Sequence, residues 1–154
     1  ALRAEILRRV EGAEDAALIR GFLDALHTGS ADFTLAFRHL ADALDGSTPA
    51  PLAGLFADRS ALDAWLPQWR ARLADDGRPS DAVRRSMNAS NPDRIPRNHL
   101  VERAIRAAED DDDFSVFERL QLAWANPFEA DPDYADLREP PADHERVTQT
   151  FCGT

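Results

Sequence analysis

Residues 88–109, NASNPDRIPRNHLVERAIRAAE, contain the clearest helical pattern in the chain. Pro92 should end any preceding helix, because proline disfavours helical geometry at the residue before it and has no N–H to donate. Pro96 can open the next helix, since the N–H groups of a first turn need no partner inside the helix. The stretch therefore predicts a turn that leads into an amphipathic helix. The apolar stripe of that helix consists of Leu100, Val101, Ala104, Ile105 and Ala108.

Apolar stripes with the same period occur on both sides of this stretch. A short one precedes Gly12, and the others cover residues 18–26, 33–44, 62–73, 83–87 and 114–124. Pro67 lies inside one of these stripes, where it should kink or split the helix. A strand pattern is limited to a weak alternation at residues 147–151. We therefore predict an all-α fold of about seven or eight amphipathic helices with an extended, proline-containing C-terminal tail.

The helical pattern stops at Asn126, and four prolines interrupt the residues that follow. Such a segment either wraps along a surface or lacks fixed structure. We therefore expect a helical domain at residues 1–125 and an extended C-terminal tail at residues 126–154. One hydrophobic core is expected in the helical domain. The residues predicted to lie in it are Phe37, Trp65, Trp69, Leu100, Ile105 and Phe117.

Composition argues against several classes of function. The net charge of −10 disfavours a nucleic-acid-binding protein, which needs a positive face for phosphates. All 18 basic residues are arginine, so no lysine is present for a Schiff base, a phosphate loop or a kinase active site. No apolar run reaches about 18 residues and no signal-peptide core is visible, so we expect no membrane partner. We expect a cytoplasmic bacterial protein and, because the only methionine is Met87, a fragment of a longer chain.

Two groups of titratable residues are candidate metal ligands, and both have a simpler interpretation. Residues 109–113 are five consecutive acids, but they lack the alternating spacing and the glycine of a calcium loop. We expect a solvated loop in which Asp113 caps the next helix. His99 and Glu102 are three residues apart on one helix, and a metal site there needs two further ligands. The GxSxG, DFG and HRD motifs are absent from the sequence, so we predict no catalytic, cofactor-binding or metal-binding residues in this chain.

Arginine is concentrated in one part of the chain. Between residues 84 and 106 there are six arginines and only two acids. Because arginine forms bidentate pairs with phosphates and carboxylates, one interpretation is a docking surface for an acidic partner. The other interpretation is that these side chains pair with acids elsewhere in the same domain. The residues of the candidate docking surface are Arg84, Arg85, Arg94, Arg97, Arg103 and Arg106.

Three segments resemble, in the same order, parts of the SelO (selenoprotein O) family. Residues 91–109, NPDRIPRNHLVERAIRAAE, resemble a helix near the C-terminus of family members. Residues 32–40, DFTLAFRHL, resemble an upstream family helix. Residues 125–134, ANPFEADPDY, followed by Pro140, Pro141 and a cysteine third from the end, resemble the family's tail. The resemblance covers nearly the whole chain, which corresponds to the last third or so of a family member.

The resemblance implies that the chain is the C-terminal helical portion of an enzyme with a kinase-like (pseudokinase) fold. Members of this family are protein adenylyltransferases, which transfer AMP from ATP to hydroxyl side chains of proteins with a divalent metal. Their catalytic and nucleotide residues lie in the N-terminal and central kinase-like region, so none is assigned here. ATP and Mg²⁺ are thus expected for the parent enzyme, whereas the fragment alone is expected to be inactive and without cofactor. Its expected partners are the missing N-terminal kinase-like region of the same chain and the parent's protein substrates.

Cys152 and the arginine-rich segment lead to two further hypotheses. Cys152 is the only cysteine and cannot form a disulfide within this chain. The resemblance implies a redox role, because the corresponding family position is selenocysteine in many eukaryotic members; a bystander thiol on a frayed tail is the other interpretation. The alternative function for the whole chain is a free-standing helical interaction module that binds an acidic partner through residues 84–106.

Overall fold

The structure, a computed structural model, describes residues 13–146 of the chain. This part contains seven α-helices, three 3-10 helices and no β-strand, which confirms the predicted all-α class. The short helix predicted before Gly12, the weak alternation at residues 147–151 and Cys152 lie outside the described residues. The α-helices are α1 (Ala13–Thr28), α2 (Phe33–Leu40), α3 (Ala50–Ala53), α4 (Ser60–Asp76), α5 (Ser80–Ser90), α6 (Asn98–Asp111) and α7 (Ser115–Ala125). The 3-10 helices are Ala41–Asp45, Pro132–Arg138 and Asp143–Glu145.

Local sequence accounts for several helix boundaries. The Asp32 carboxylate accepts the N–H of Leu35 at 2.8 Å and so caps the first turn of α2. Gly77 ends α4 in the left-handed conformation, with φ of 68°, which glycine adopts at little cost. A kink or a split was expected at Pro67, and α4 is not split there. Trp65 and Trp69 on either side of this proline are both buried, and their packing offsets the hydrogen bond that the proline removes.

The chain divides into two compact units, Ala1–Asp93 and Arg94–Thr154. This boundary differs from the one predicted after Ala125. The difference arises because part of the predicted tail is folded: the 3-10 helix Pro132–Arg138 buries Leu137, which is 1% exposed, in a cluster with Leu100 and Leu120. Residues 132–138 therefore contribute to the core of the second unit, and Pro132 begins the 3-10 helix that carries Leu137.

Aromatic residues of α1, α2 and α4 form the core of the first unit. Trp65 stacks on Phe22 with 4.6 Å between ring centroids and on Trp69 with 5.7 Å. Phe37 meets Phe22 edge-on at 5.0 Å. The Trp65 indole N–H donates to the Leu18 carbonyl at 2.7 Å, so this large ring leaves no polar atom unpaired when it is buried. A side chain at Gly21 would lie 3.0 Å from the Trp65 ring, which explains why α1 has a glycine where it meets α4.

The core of the second unit is smaller and separate. It contains Leu100 and Ala104 of α6, Leu120 and Ala123 of α7, and Leu137. The prediction of one core was therefore wrong: Phe37, Trp65 and Trp69 belong to the first cluster and Leu100 to the second. Ile105 and Phe117 belong to neither, being 45% and 47% exposed. The apolar stripe of α6 is wider than the surface packed against it, so only part of the stripe is covered.

We predict that Leu100→Ala lowers the free energy of unfolding of the second unit by about 2–5 kcal/mol, as expected for a leucine truncated in a packed core. Ile105→Ala in the same 154-residue chain should change it by no more than about 0.5 kcal/mol, because Ile105 is 45% exposed and lies outside the buried cluster. Hydrogen exchange of the α6 and α7 amides measures both changes. Equal effects of the two substitutions would contradict the assignment of the buried face.

Candidate functional site

The segment between α5 and α6 is polar yet buried. Asn91 and Asp93 are each 1% exposed, and Arg94 is 2% exposed. Burying such groups costs free energy unless each one finds hydrogen-bond partners. The partners of residues 91–94 therefore identify what this segment does in the molecule.

In the first unit, Asn91 and Asp93 form a network with Arg38 of α2. The Arg38 Nη1 donates to the main-chain carbonyls of Asn88 and Asn91, at 3.0 and 3.1 Å. Its Nε lies 3.6 Å from Asp93 Oδ1. Asn91 Nδ2 in turn donates to the carbonyl of Phe37 at 3.2 Å. Because Phe37 and Asn88 lie in the last turns of α2 and α5, where carbonyls have no helical partner, the network satisfies both helix ends.

In the second unit, Arg94 binds the end of α7 and the loop that follows. Its Nε donates to the Ala123 carbonyl at 2.7 Å, Nη1 to Glu129 at 2.7 Å, and Nη2 to Asn126 at 3.1 Å. The guanidinium also lies over the Tyr134 ring, 5.2 Å from its centroid. All three of these donors meet main-chain oxygens, so Arg94 holds residues 123–129 in one conformation.

A second arginine reinforces this part of the unit. Both Nη atoms of Arg119 bind the Asp136 carboxylate, at 2.9 and 2.8 Å, and Nη2 also donates to the Asp133 carbonyl at 2.8 Å. These hydrogen bonds hold the pKa of Asp136 below its usual value and raise that of Arg119. The pair is solvent-exposed, so it orients the 3-10 helix Pro132–Arg138 more than it stabilises the fold.

One of the six arginines of the candidate docking surface, Arg94, does not lie on the surface. Arg94 is buried and bound to carbonyls, so it cannot meet a partner at a surface. Arg84 bonds to the Ala41 carbonyl and to Asp42, and Arg106 pairs with Glu102 at 2.9 Å. For these three, internal pairing is the better interpretation. The half-buried Arg97 and the exposed Arg85 and Arg103 keep the docking role as a prediction.

Two of the candidate metal ligands, Glu102 and Asp113, form hydrogen bonds within the protein. Glu102 accepts from Arg106. Asp113 accepts the N–H of Ser115 at 2.9 Å, and hydrogen bonds from the side chain and the main chain of Ser115 lower the Asp113 pKa. Asp113 was expected to cap α7, but the N-cap is Phe114, so Asp113 lies one residue before the cap. The first acids of the 109–113 run extend α6 to Asp111, whereas a loop was expected. Within residues 13–146, no three His, Cys, Asp or Glu side chains are grouped so that they could hold a metal ion. The redox role of Cys152 stays a prediction.

His99 is a half-buried histidine at the start of α6. Burial is the main cause that lowers its pKa, and the charges of Arg97 and Arg103 act in the same direction. The charge of Glu145 opposes them. Its Nδ1 is buried without a hydrogen-bond partner. The folded second unit therefore favours neutral His99.

Sequence reasoning identified the stretch around residues 91–94 but missed Arg38 and Asp93 as partners. In each unit taken by itself, the stretch is bonded to a segment that carries the family resemblance: residues 32–40 in the first unit and residues 125–134 in the second. The first is bonded to it through Arg38 and Phe37, and the last through Asn126 and Pro127, whose carbonyl accepts the Arg94 N–H at 3.4 Å. The sequence feature that could have indicated Arg38 is its position beside the apolar stripe of α2.

Comparison with known proteins gives the same family. The family model described as protein adenylyltransferase SelO matches residues 5–124. A protein nucleotidyltransferase YdiU from Rhodopseudomonas palustris is 51% identical over 92% of the chain, and the match covers 29% of that relative. Proteins of the same name from Bradyrhizobium sp. and Rhizobium meliloti are 44% and 42% identical over 97% and 99% of the chain.

These matches place the chain among proteins named as protein nucleotidyltransferases. The chain belongs to the SelO family. It spans only about 29–31% of the length of these relatives. Among the described residues, no helix is both long and apolar enough to cross a membrane.

We predict that Arg94→Lys destabilises the second unit by about 3 kcal/mol or more, because a lysine cannot reproduce the three-way fork and leaves buried carbonyls unpaired. Arg106→Lys is the matched control, since Arg106 is on the surface and pairs with its helix neighbour Glu102. Urea unfolding of both variants, followed by circular dichroism, measures the difference. Comparable stability of the two variants would show that the Arg94 contacts contribute little.

We also predict that acid destabilises the second unit through His99. A lowered pKa in the folded state means that the unfolded chain takes up the proton first. Stability is therefore intact above the unfolded histidine pKa of about 6.5 and falls as the pH drops from there towards the folded-state pKa. Hydrogen exchange of α6 at several pH values measures the slope. His99→Gln should flatten it in this window, and an unchanged slope would assign the effect to other groups.

Proposed function

We propose that this chain is the helical C-terminal part of a longer protein adenylyltransferase, which transfers AMP from ATP to hydroxyl side chains of proteins. The observation that carries the proposal is the match to the SelO family over residues 5–124, together with relatives named protein nucleotidyltransferases of which the chain spans about 29%. On this proposal, the described helices support the catalytic region and the reacting groups lie elsewhere in the parent protein.

The chemistry of the described residues supports a structural role for this chain and a catalytic role for the remainder of the parent protein. Arg38 and Arg94 have their donors directed at main-chain carbonyls, so they act in folding and are poorly placed to bind a phosphate. The chain has no lysine, and residues 13–146 offer no group of metal ligands. These residues do not fit a site for ATP or Mg²⁺, and both are assigned to the remainder of the parent. No step of the reaction is therefore assigned to this chain.

Partners and location follow from the proposed activity. The first partner is the remainder of the same protein, because the relatives are much longer than the chain. The parent's protein substrates are the second. The relatives are bacterial proteins, and ATP as the AMP donor favours the bacterial cytoplasm as the site of action.

We predict that the longer protein encoded by the gene transfers AMP from labelled ATP to protein, whereas the 154-residue chain neither transfers AMP nor binds Mg-ATP in calorimetric titration. The reason is that the chain has no lysine and that residues 13–146 contain no group of metal ligands to hold the Mg²⁺ of a bound triphosphate. A longer protein without AMP transfer would contradict the proposed activity. Micromolar binding of Mg-ATP by the 154-residue chain would contradict the division of labour.

A reading frame limited to these 154 residues would favour the alternative, a free-standing module that binds an acidic partner. In that case Arg85→Ala and Arg103→Ala should weaken partner binding. The buried Arg94 would not be a direct contact, because it is only 2% exposed.

A further inference from the structure

Large apolar side chains remain exposed on one flank of the helical hairpin formed by α6 and α7. Val101 and Ile105 of α6 are 36% and 45% exposed, and Phe114 and Phe117 are 53% and 47% exposed. We call these four residues the apolar face. Soluble monomers rarely expose clustered apolar side chains of this size unless the surface binds something.

Helical geometry puts Val101, Ile105 and Phe117 on the same side of the hairpin, and Phe114 precedes α7 as its N-cap. A three-residue connection, 112–114, joins α6 to α7, and their buried positions pack against each other, so the helices run in opposite directions. Val101 and Ile105 each follow a buried residue, Leu100 and Ala104, and so lie about 100° around α6 from it. Phe117 lies three positions before the buried Leu120. In an antiparallel neighbour the direction of rotation along the chain is reversed. The offset of Val101 and Ile105 from the buried face of α6 and the offset of Phe117 from the buried face of α7 therefore point to the same flank of the hairpin.

The other flank of the hairpin is already covered. Arg119 projects from α7 on that side, and its bonds to Asp133 and Asp136 hold the 3-10 helix Pro132–Arg138 there. Leu137 of the same 3-10 helix completes the buried cluster. The unit thus covers one flank of the hairpin with its own chain and leaves the apolar face bare.

We propose that the apolar face docks onto the part of the parent protein that lies outside this chain. This inference rests on the proposed function, which makes the chain a piece of a longer enzyme. The main support is length: the match covers only 29% of the Rhodopseudomonas palustris relative, so most of that protein is available to cover the face. The face also belongs to residues 94–124, which lie inside the segment that matches the family model.

Charge indicates the chemistry of the surface that covers the face. The five acids of residues 109–113 and Glu118 border Phe114 and Phe117, and all six are exposed. The covering surface should therefore be apolar at its centre with arginine or lysine at its rim. A second copy of the chain fits less well, because a symmetric contact centred on Phe114 and Phe117 would bring two acidic runs close together.

A photocrosslinker at position 117 of the full-length protein tests the proposal directly. p-Benzoylphenylalanine replaces Phe117 with a similar ring, and the crosslinked peptides are mapped by mass spectrometry. We expect crosslinks within the same molecule to residues outside the 154-residue chain. The control position is Leu122, which is 66% exposed and lies on a different side of α7. Crosslinks from position 117 to residues 1–93 or to a second copy would overturn the proposal. A crosslink yield at position 117 no higher than at position 122 would also overturn it.

Stability measurements provide a second test that does not depend on crosslinking. Phe117→Asp should lower the melting temperature of the full-length protein by about 3 °C or more, and that of the 154-residue chain by less than about 1 °C. Leu122→Asp, which adds the same charge on another side of α7, should change neither. An equal loss in both lengths of protein would mean that Phe117 acts within the second unit, which would contradict the docking.

The AMP-transfer assay separates this inference from the proposed function. AMP transfer by the full-length protein without crosslinks from position 117 would overturn only the docking face. Crosslinks to the remainder of a protein that transfers no AMP would overturn only the proposed activity.

Discussion

A buried guanidinium is the constraint on which the second unit depends. Arg94 is 2% exposed, and its charge is tolerated because Nε and both Nη atoms donate to main-chain carbonyls. Those carbonyls belong to the end of α7 and the loop after it, so the requirement to satisfy Arg94 fixes residues 123–129. The loop in turn leads to the 3-10 helix that places Leu137 in the core. One side chain thus links the start of the unit to the segment that closes it.

Arg38 has the corresponding role in the first unit. It satisfies carbonyls at residues 88 and 91 and faces the buried Asp93, while Asn91 binds back to α2. Polar residues in a helical protein can be interpreted as binding groups, and Arg94 was predicted to be one. Their partners show that the most buried ones stabilise helix ends. Both arginines therefore act in folding, each within its own unit.

The contrast between the two flanks of the α6–α7 hairpin bears on how the chain fits into a longer protein. A helix pair packed on one side buries only part of a broad apolar stripe, and the remainder needs another surface. In this unit Leu100 and Ala104 are covered, whereas Val101 and Ile105 are not. The relatives are long enough to supply that surface, and the acidic run beside it favours a partner with a basic rim.

The sequence by itself determined the all-α class and most helix positions, because these depend on periodicity and on bonds between residues close in the chain. It also placed the chain in its family through three short segments. Only the tertiary structure showed that Ile105 and Phe117 are exposed, that residues after 125 are packed, and that Arg94 is buried. Periodicity identifies an apolar stripe but not how much of it a neighbour covers. The burial of Arg94 depends on carbonyls about 30 residues away, and only the fold brings such groups together.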